Sequence, residues 1–200
     1  MEQDQAREEI RFIREMIEKT RSSAVKSGPY LIVWGILVIL AIIGMYLLEI
    51  GKLYEWIWID WIVFMGIGTV YTVFQAIKEQ RKNRVRTYAV VTVSYLWSAC
   101  GIAFILLGFV FPLLRLYSYE PIPIFISVIA GIALFVSGGI FQWDLLKWGG
   151  MLFWIGALVM VFCPADIRSL LFIPLIAFGY LTPGIIYDRK YRKAGAGHES

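Results

Sequence analysis

Lys78-Glu79-Gln80-Arg81-Lys82-Asn83-Arg84-Val85-Arg86 sets five cations in nine residues between two long apolar runs. A cluster of this kind is held on the cytoplasmic side of a bilayer, so it orients the spans before and after it. Apolar residues make up 59% of the 200 and charged residues only 17%, with a mean hydropathy of +0.69. The charges are confined to the two ends and a few short loops. Apolar runs of about 18 residues or more read as spanning helices, because backbone groups in lipid must bond to one another.

The predicted fold is all-α: a polytopic membrane protein with six transmembrane helices in three similar hairpins, preceded by an amphipathic helix. The spans fall near 30–50, 55–77, 88–111, 121–141, 146–163 and 168–187. Residues 1–28 form the cytoplasmic or interfacial helix, 29–188 the transmembrane domain, and 189–200 a basic cytoplasmic tail predicted to be disordered. Sixteen Lys and Arg fall in alternate segments on one side of the bundle and three on the other. That asymmetry predicts a multi-pass protein of the cell (inner) membrane with both termini in the cytoplasm. It also accounts for the net charge of +4 without a nucleic-acid partner. Trp56, Trp58 and Trp61 would form the outer aromatic belt, with Trp143, Trp148 and Tyr187 at inner ends. The first apolar run begins near Tyr30 and is too long for a signal peptide, so none is expected.

In the N-terminal segment Ala6, Ile10, Ile13, Ile17, Thr20 and Ala24 recur at 4-3-4-3-4 spacing, a heptad seam. Arg11–Glu15, Arg14–Glu18 and Glu15–Lys19 are i,i+4 pairs of opposite charge. Six acids balance six bases there, unlike the cationic bias of a lipid anchor. Ile10, Ile13 and Ile17 are therefore the candidate face for a homo-oligomer or a membrane-protein partner. Gly28-Pro29 ends the segment.

Short loops pair consecutive spans as antiparallel hairpins. The even spans end in Gly68-Thr-Val-Tyr71, Gly138-Gly-Ile-Phe141 and Gly184-Ile-Ile-Tyr187. The odd spans carry Trp34-Gly35, Trp97-Ser98 and Trp148-Gly149, and two continue as Gly101, Gly108, Pro112 and Gly149, Gly156, Pro164. These patterns point to a triplicated two-helix unit. The run Gly101-Ile-Ala-Phe-Ile-Leu-Leu-Gly108-Phe-Val-Phe-Pro112, followed by Gly131-Ile-Ala-Leu-Phe-Val-Ser-Gly138-Gly-Ile, resembles the helical-hairpin unit of the HdeD-like small membrane proteins. The resemblance implies six spans in three hairpins and an association with acid resistance, and it supplies no catalytic residues.

Asp60 is the one acid expected inside a span, and an ionisable group at that depth is a functional candidate. With Phe64, Gly68, Tyr71 and Gln75 it forms a stripe along span two, and Asp60, Tyr71 and Gln75 could line a transport path. Alternatively, Asp60 is a helix-end charge reaching water, Arg115 or Arg168. Val91, Ser94, Ser98, Gly101, Ile105 and Gly108 form a small-residue face on span three, fit for helix packing. Lys78, Arg81, Lys82, Arg84 and Arg86 set topology, and they could also meet lipid headgroups or the acids of the N-terminal helix.

An enzyme is not expected. The single histidine, His198, lies in the Gly-rich tail, no span offers metal-ligand spacing, and no base stands beside a Ser or Cys. No metal and no cofactor are expected, and Cys100 and Cys163, in different spans, read as structural thiols. Beyond the lipid bilayer itself, two functional readings follow. One is a non-enzymatic membrane protein of regulatory or stress-related role acting through protein or lipid contacts. The other is a small transporter or channel with its polar path along span two.

Overall fold

The structure, a computed structural model, describes residues 7, 8, 10, 11, 28–82 and 87–196. No strand occurs among the described residues, and six of the helices are long and apolar enough to cross a membrane. Helix α1 is Gly28–Ile50. A 3-10 turn, Tyr54–Trp56, leads into α2, Ile57–Lys82. Helix α3 runs Tyr88–Ile105, through a π turn at Leu106–Val110, to Phe111–Leu113. Helix α4 is Ile122–Ile140 and α5 is Asp144–Val161. Helix α6 runs Ala165–Ile176, through a second π turn at Ala177–Leu181, to Thr182–Ala196.

Local chemistry explains the boundaries. Helix α5 starts at Asp144 and α6 at Ala165, a few residues before their expected starts, so each carries an acid in its first turn. A carboxylate there opposes the positive end of the helix dipole. Helix α6 passes through Pro183. The π turn immediately before it supplies the extra residue that relieves the ring. The Ala177 carbonyl, which takes the Thr182 N–H across this turn, also accepts a hydrogen bond from Thr182 Oγ1 at 2.8 Å.

Three of the connections use one turn. Lys52, Arg115 and Gln142 have φ of 57°, 58° and 53°. After each, the next backbone N–H donates to a carbonyl five residues back. These bonds are Leu53 N to Leu48 O at 2.9 Å, Leu116 N to Phe111 O at 3.0 Å and Trp143 N to Gly138 O at 2.7 Å. This is the Schellman closure, with a side chain where glycine is usual. The left-handed conformation costs such a residue about 1 kcal/mol.

Helices α1, α4, α5 and α6 form the inner bundle. Ala41, Leu134, Phe153 and Met160, one from each of α1 and α4 and two from α5, are buried in it, and α6 adds Phe172, Leu175 and Ile176. Helix α2 lies outside, chiefly on α1, and α3 lies chiefly on α4. The most extensive contact is between α4 and α5, across the boundary between the expected second and third hairpins. A Cβ on Gly138 would stand 2.7 Å from Lys147 N, and one on Gly150 would stand 2.7 Å from Gly131 O. Gly149 faces the Gly179 carbonyl of α6 in the same backbone-to-backbone manner, and Gly156 sits beneath Leu175.

Gly101 and Gly108, which match Gly149 and Gly156 in the sequence pattern, have nothing within 4 Å of where a Cβ would stand. Ser94, Ser98 and Ile105 beside them are exposed. Among the described residues, the small-residue face of α3 therefore packs on no other helix at Gly101 and Gly108. Its opposite side, with Ala89, Val93, Trp97, Cys100 and Phe104, turns inward.

Substituting Gly138 or Gly149 with Ala should destabilise the protein by about 2 kcal/mol, whereas Gly101→Ala should be neutral or slightly stabilising. Lys52→Gly should raise stability by up to about 1 kcal/mol. Thermal unfolding in detergent, followed by circular dichroism, measures all four variants.

Candidate functional site

The face of α2 that carries Asp60, Gly68 and Tyr71 is turned toward α1. Gly44 of α1 lies directly against the Asp60 carboxylate, and a Cβ on it would stand 3.1 Å from Asp60 Cγ. Further along, the Trp34 indole lies over Gly68, with ring carbons 2.9–3.1 Å from a Cβ there. Its Nε1 donates to Thr72 Oγ1 at 2.9 Å, and Thr72 donates in turn to Gly68 O at 2.8 Å. Tyr71 meets the Tyr30 ring edge-on at 6.0 Å, and Gln75 is half-buried one turn further. Asp60 and Tyr71 thus share a face, separated by about 16 Å of helix. The Trp34 ring occupies the space between them.

Asp60 lies opposite a point six residues inside the end of α1, a depth of about 9 Å. Its Oδ2 is buried and accepts no hydrogen bond. Arg168, one of its expected partners, is engaged elsewhere. Its Nε donates to Met160 O and Cys163 O, both at 3.1 Å, and so satisfies the carbonyls at the end of α5. Arg115 is exposed in its turn.

Other polar side chains in the bundle have structural partners. Trp97 Nε1 donates to the buried Ser137 Oγ at 3.1 Å, and the Trp97 ring meets Tyr180 edge-on. Ser127 Oγ donates to Phe153 O at 2.8 Å and Trp154 Nε1 to Val128 O at 3.1 Å, both bridging α4 and α5. Tyr117, in the loop after α3, donates its hydroxyl to Leu107 O inside the first π turn. Burial pushes its phenol above the usual range, which keeps it a donor. Each π turn is therefore closed by a hydroxyl from nearby in the chain.

Along α2, a shallow, open groove of about 610 Å³ is lined by Ile62, Val63, Gly66, Ile67, Val70, Tyr71 and Phe74. Nothing lies within 4 Å of the Cβ position of Gly66 at its floor. Lys78 and Arg81 are exposed in the last two turns of the same helix. The side chain of Lys82, and Arg84 and Arg86, lie outside the described residues. At the N-terminus Ile10 is helical and 59% exposed, while Ile13 and Ile17 lie outside the described residues. Among the described residues no three His, Cys, Asp or Glu side chains come together as metal ligands, and Cys100 and Cys163 are free thiols.

Sequence reasoning missed the groove. Its signal is the 4-3-4-4-3 spacing of Val63, Ile67, Val70, Phe74, Lys78 and Arg81, which is hard to see in a helix that is apolar on every side. No family model matches the chain, and no curated protein or solved structure does.

Asp60→Leu replaces a buried oxygen that lacks a donor with an apolar group of similar shape. It should raise stability by about 1 kcal/mol. A fall in the detergent unfolding temperature would instead reveal a stabilising contact made by the carboxylate.

Proposed function

We propose that this chain is a non-enzymatic integral membrane protein of the inner membrane, with both termini in the cytoplasm and a regulatory or stress-related role. It works through contacts with lipid and with other protein chains. The observation that carries this reading is the use made of the polar groups. Trp34, Thr72, Trp97, Ser127, Ser137 and Trp154 all hold helices to one another. That leaves no reactive constellation among them. The distribution of Lys and Arg supports the orientation. The resemblance of spans three and four to the HdeD-like unit supports the three-hairpin arrangement and the link to stress. Helices α2 and α3, each held chiefly by one neighbour, offer the surface for contacts within the bilayer. The heptad face Ile10, Ile13 and Ile17 offers one outside it.

A second reading, a small transporter or channel with Asp60, Tyr71 and Gln75 along its path, is favoured by the buried oxygen of Asp60 that accepts no bond. Flux in proteoliposomes separates the two. Transport by the natural chain that falls with Asp60→Asn supports the second reading, and flux indifferent to the substitution removes it.

For the first reading, native mass spectrometry in lipid nanodiscs compares the full chain with one lacking residues 1–27 and with the double variant Ile13→Ser, Ile17→Ser. A defined oligomer or protein partner should be present with the full chain and lost from both variants. Association that survives both changes would overturn the role assigned to this helix.

A further inference from the structure

The groove along α2 and the cations at its end belong to one line on the helix. Val63, Ile67, Val70 and Phe74 recur at the spacing of a single helical face, and Lys78 and Arg81 continue it. We propose that this line is a binding site for one anionic glycerophospholipid, with an acyl chain along the groove over Gly66 and the phosphate held by Lys78 and Arg81. The proposal rests on the lipid-contact side of the reading above and names the lipid class.

Three features support it. Gly66 leaves a shallow open notch in the apolar face between Ile62 and Val70. Its length also matches. From Ile62 to Phe74 the helix rises about 18 Å, and one leaflet of hydrocarbon is about 15 Å deep. Lys78 follows Phe74 by about 6 Å, so a chain filling the groove brings its phosphate level with the ammonium. Arg81 lies one turn further, and its guanidinium suits a phosphate with two parallel hydrogen bonds. The Tyr71 phenol stands at the rim of the groove.

Charge also argues against a second copy of the chain as the occupant. In a twofold pair about the membrane normal, each residue faces its own counterpart at the same depth. Pairing across Gly66 would bring Lys78 against Lys78 and Arg81 against Arg81, with no acid described on that line to offset them. An anionic headgroup turns the same cations into an attraction.

The test is native mass spectrometry of the delipidated full chain in mild detergent, titrated with phosphatidylglycerol or with phosphatidylcholine of the same acyl chains. The natural protein should take up one phosphatidylglycerol in preference to phosphatidylcholine. Lys78→Gln should weaken phosphatidylglycerol binding about fivefold, and Lys78→Gln with Arg81→Gln about thirtyfold, with phosphatidylcholine little changed. Gly66→Leu fills the groove without meeting any neighbour and should weaken both lipids. Equal binding of the two lipids by the natural protein, or phosphatidylglycerol binding unchanged in the charge variants and in Gly66→Leu, would overturn the proposal. So would a lipid-independent dimer lost in Gly66→Leu, which would give the groove to a second copy. Headgroup preference does not depend on residues 1–27 or on sidedness. Its failure is therefore distinct from a failure of the helix or topology assignments.

Discussion

Helices α4 and α5 meet backbone to backbone, and the placement of the inner bundle follows from that contact. Lipid tails are as apolar as leucine, so burial of apolar side chains gives two spans little reason to associate. Close packing must do it. Gly131 and Gly138 on one helix and Gly150 on the other remove the side chains that would hold the axes apart. Hydroxyl and indole donors from Ser127 and Trp154 then cross the gap to carbonyls of the opposite helix. With α5 fixed, Gly149 seats α6 through Gly179, and α6 seats α1, whose Gly28 lies against Gly184 and whose Gly35 lies under Leu181. Helices α2 and α3 come last, each on one supporting helix.

This order explains what could be read from the residues alone. Six spans were legible because hydropathy and length are local properties that lipid enforces on every segment separately. Which face of a span packs was not legible. In water a helix declares its inner face by placing polar residues on the other, but a span such as α3 is apolar or small all round. Gly101-Gly108 and Gly149-Gly156 are the same seven-residue pattern. One is open and the other is packed against Gly179 and Leu175, a difference created wholly by neighbours far away in sequence. The π turns were equally hidden. Each has a carbonyl that meets a hydroxyl, from Tyr117 in one and Thr182 in the other, and neither residue stands out until the chain is folded.

The candidate site was legible in part. Asp60 is conspicuous as an acid in an apolar run, and its expected stripe with Tyr71 does share one face. The indole that sits between them comes from another helix, so no inspection of span two could supply it. Lys78 and Arg81 were read from composition as topogenic or lipid-headgroup contacts. Their alignment with the groove emerges only when Gly66 is seen to face open space and the opposite side of α2 is seen to be taken by α1.

The seating of α1 on α6 bears on how the protein is made. The first of the six long helices has its inner-bundle partner in the sixth. Until α6 arrives, Gly28 and Gly35 face lipid, and α1 with α2 is a lone pair adrift beside the growing chain. Closure of the inner bundle is therefore a late event that joins the first and the sixth of these helices. Loss of the final span would cost more than one helix, since it would also strand the first.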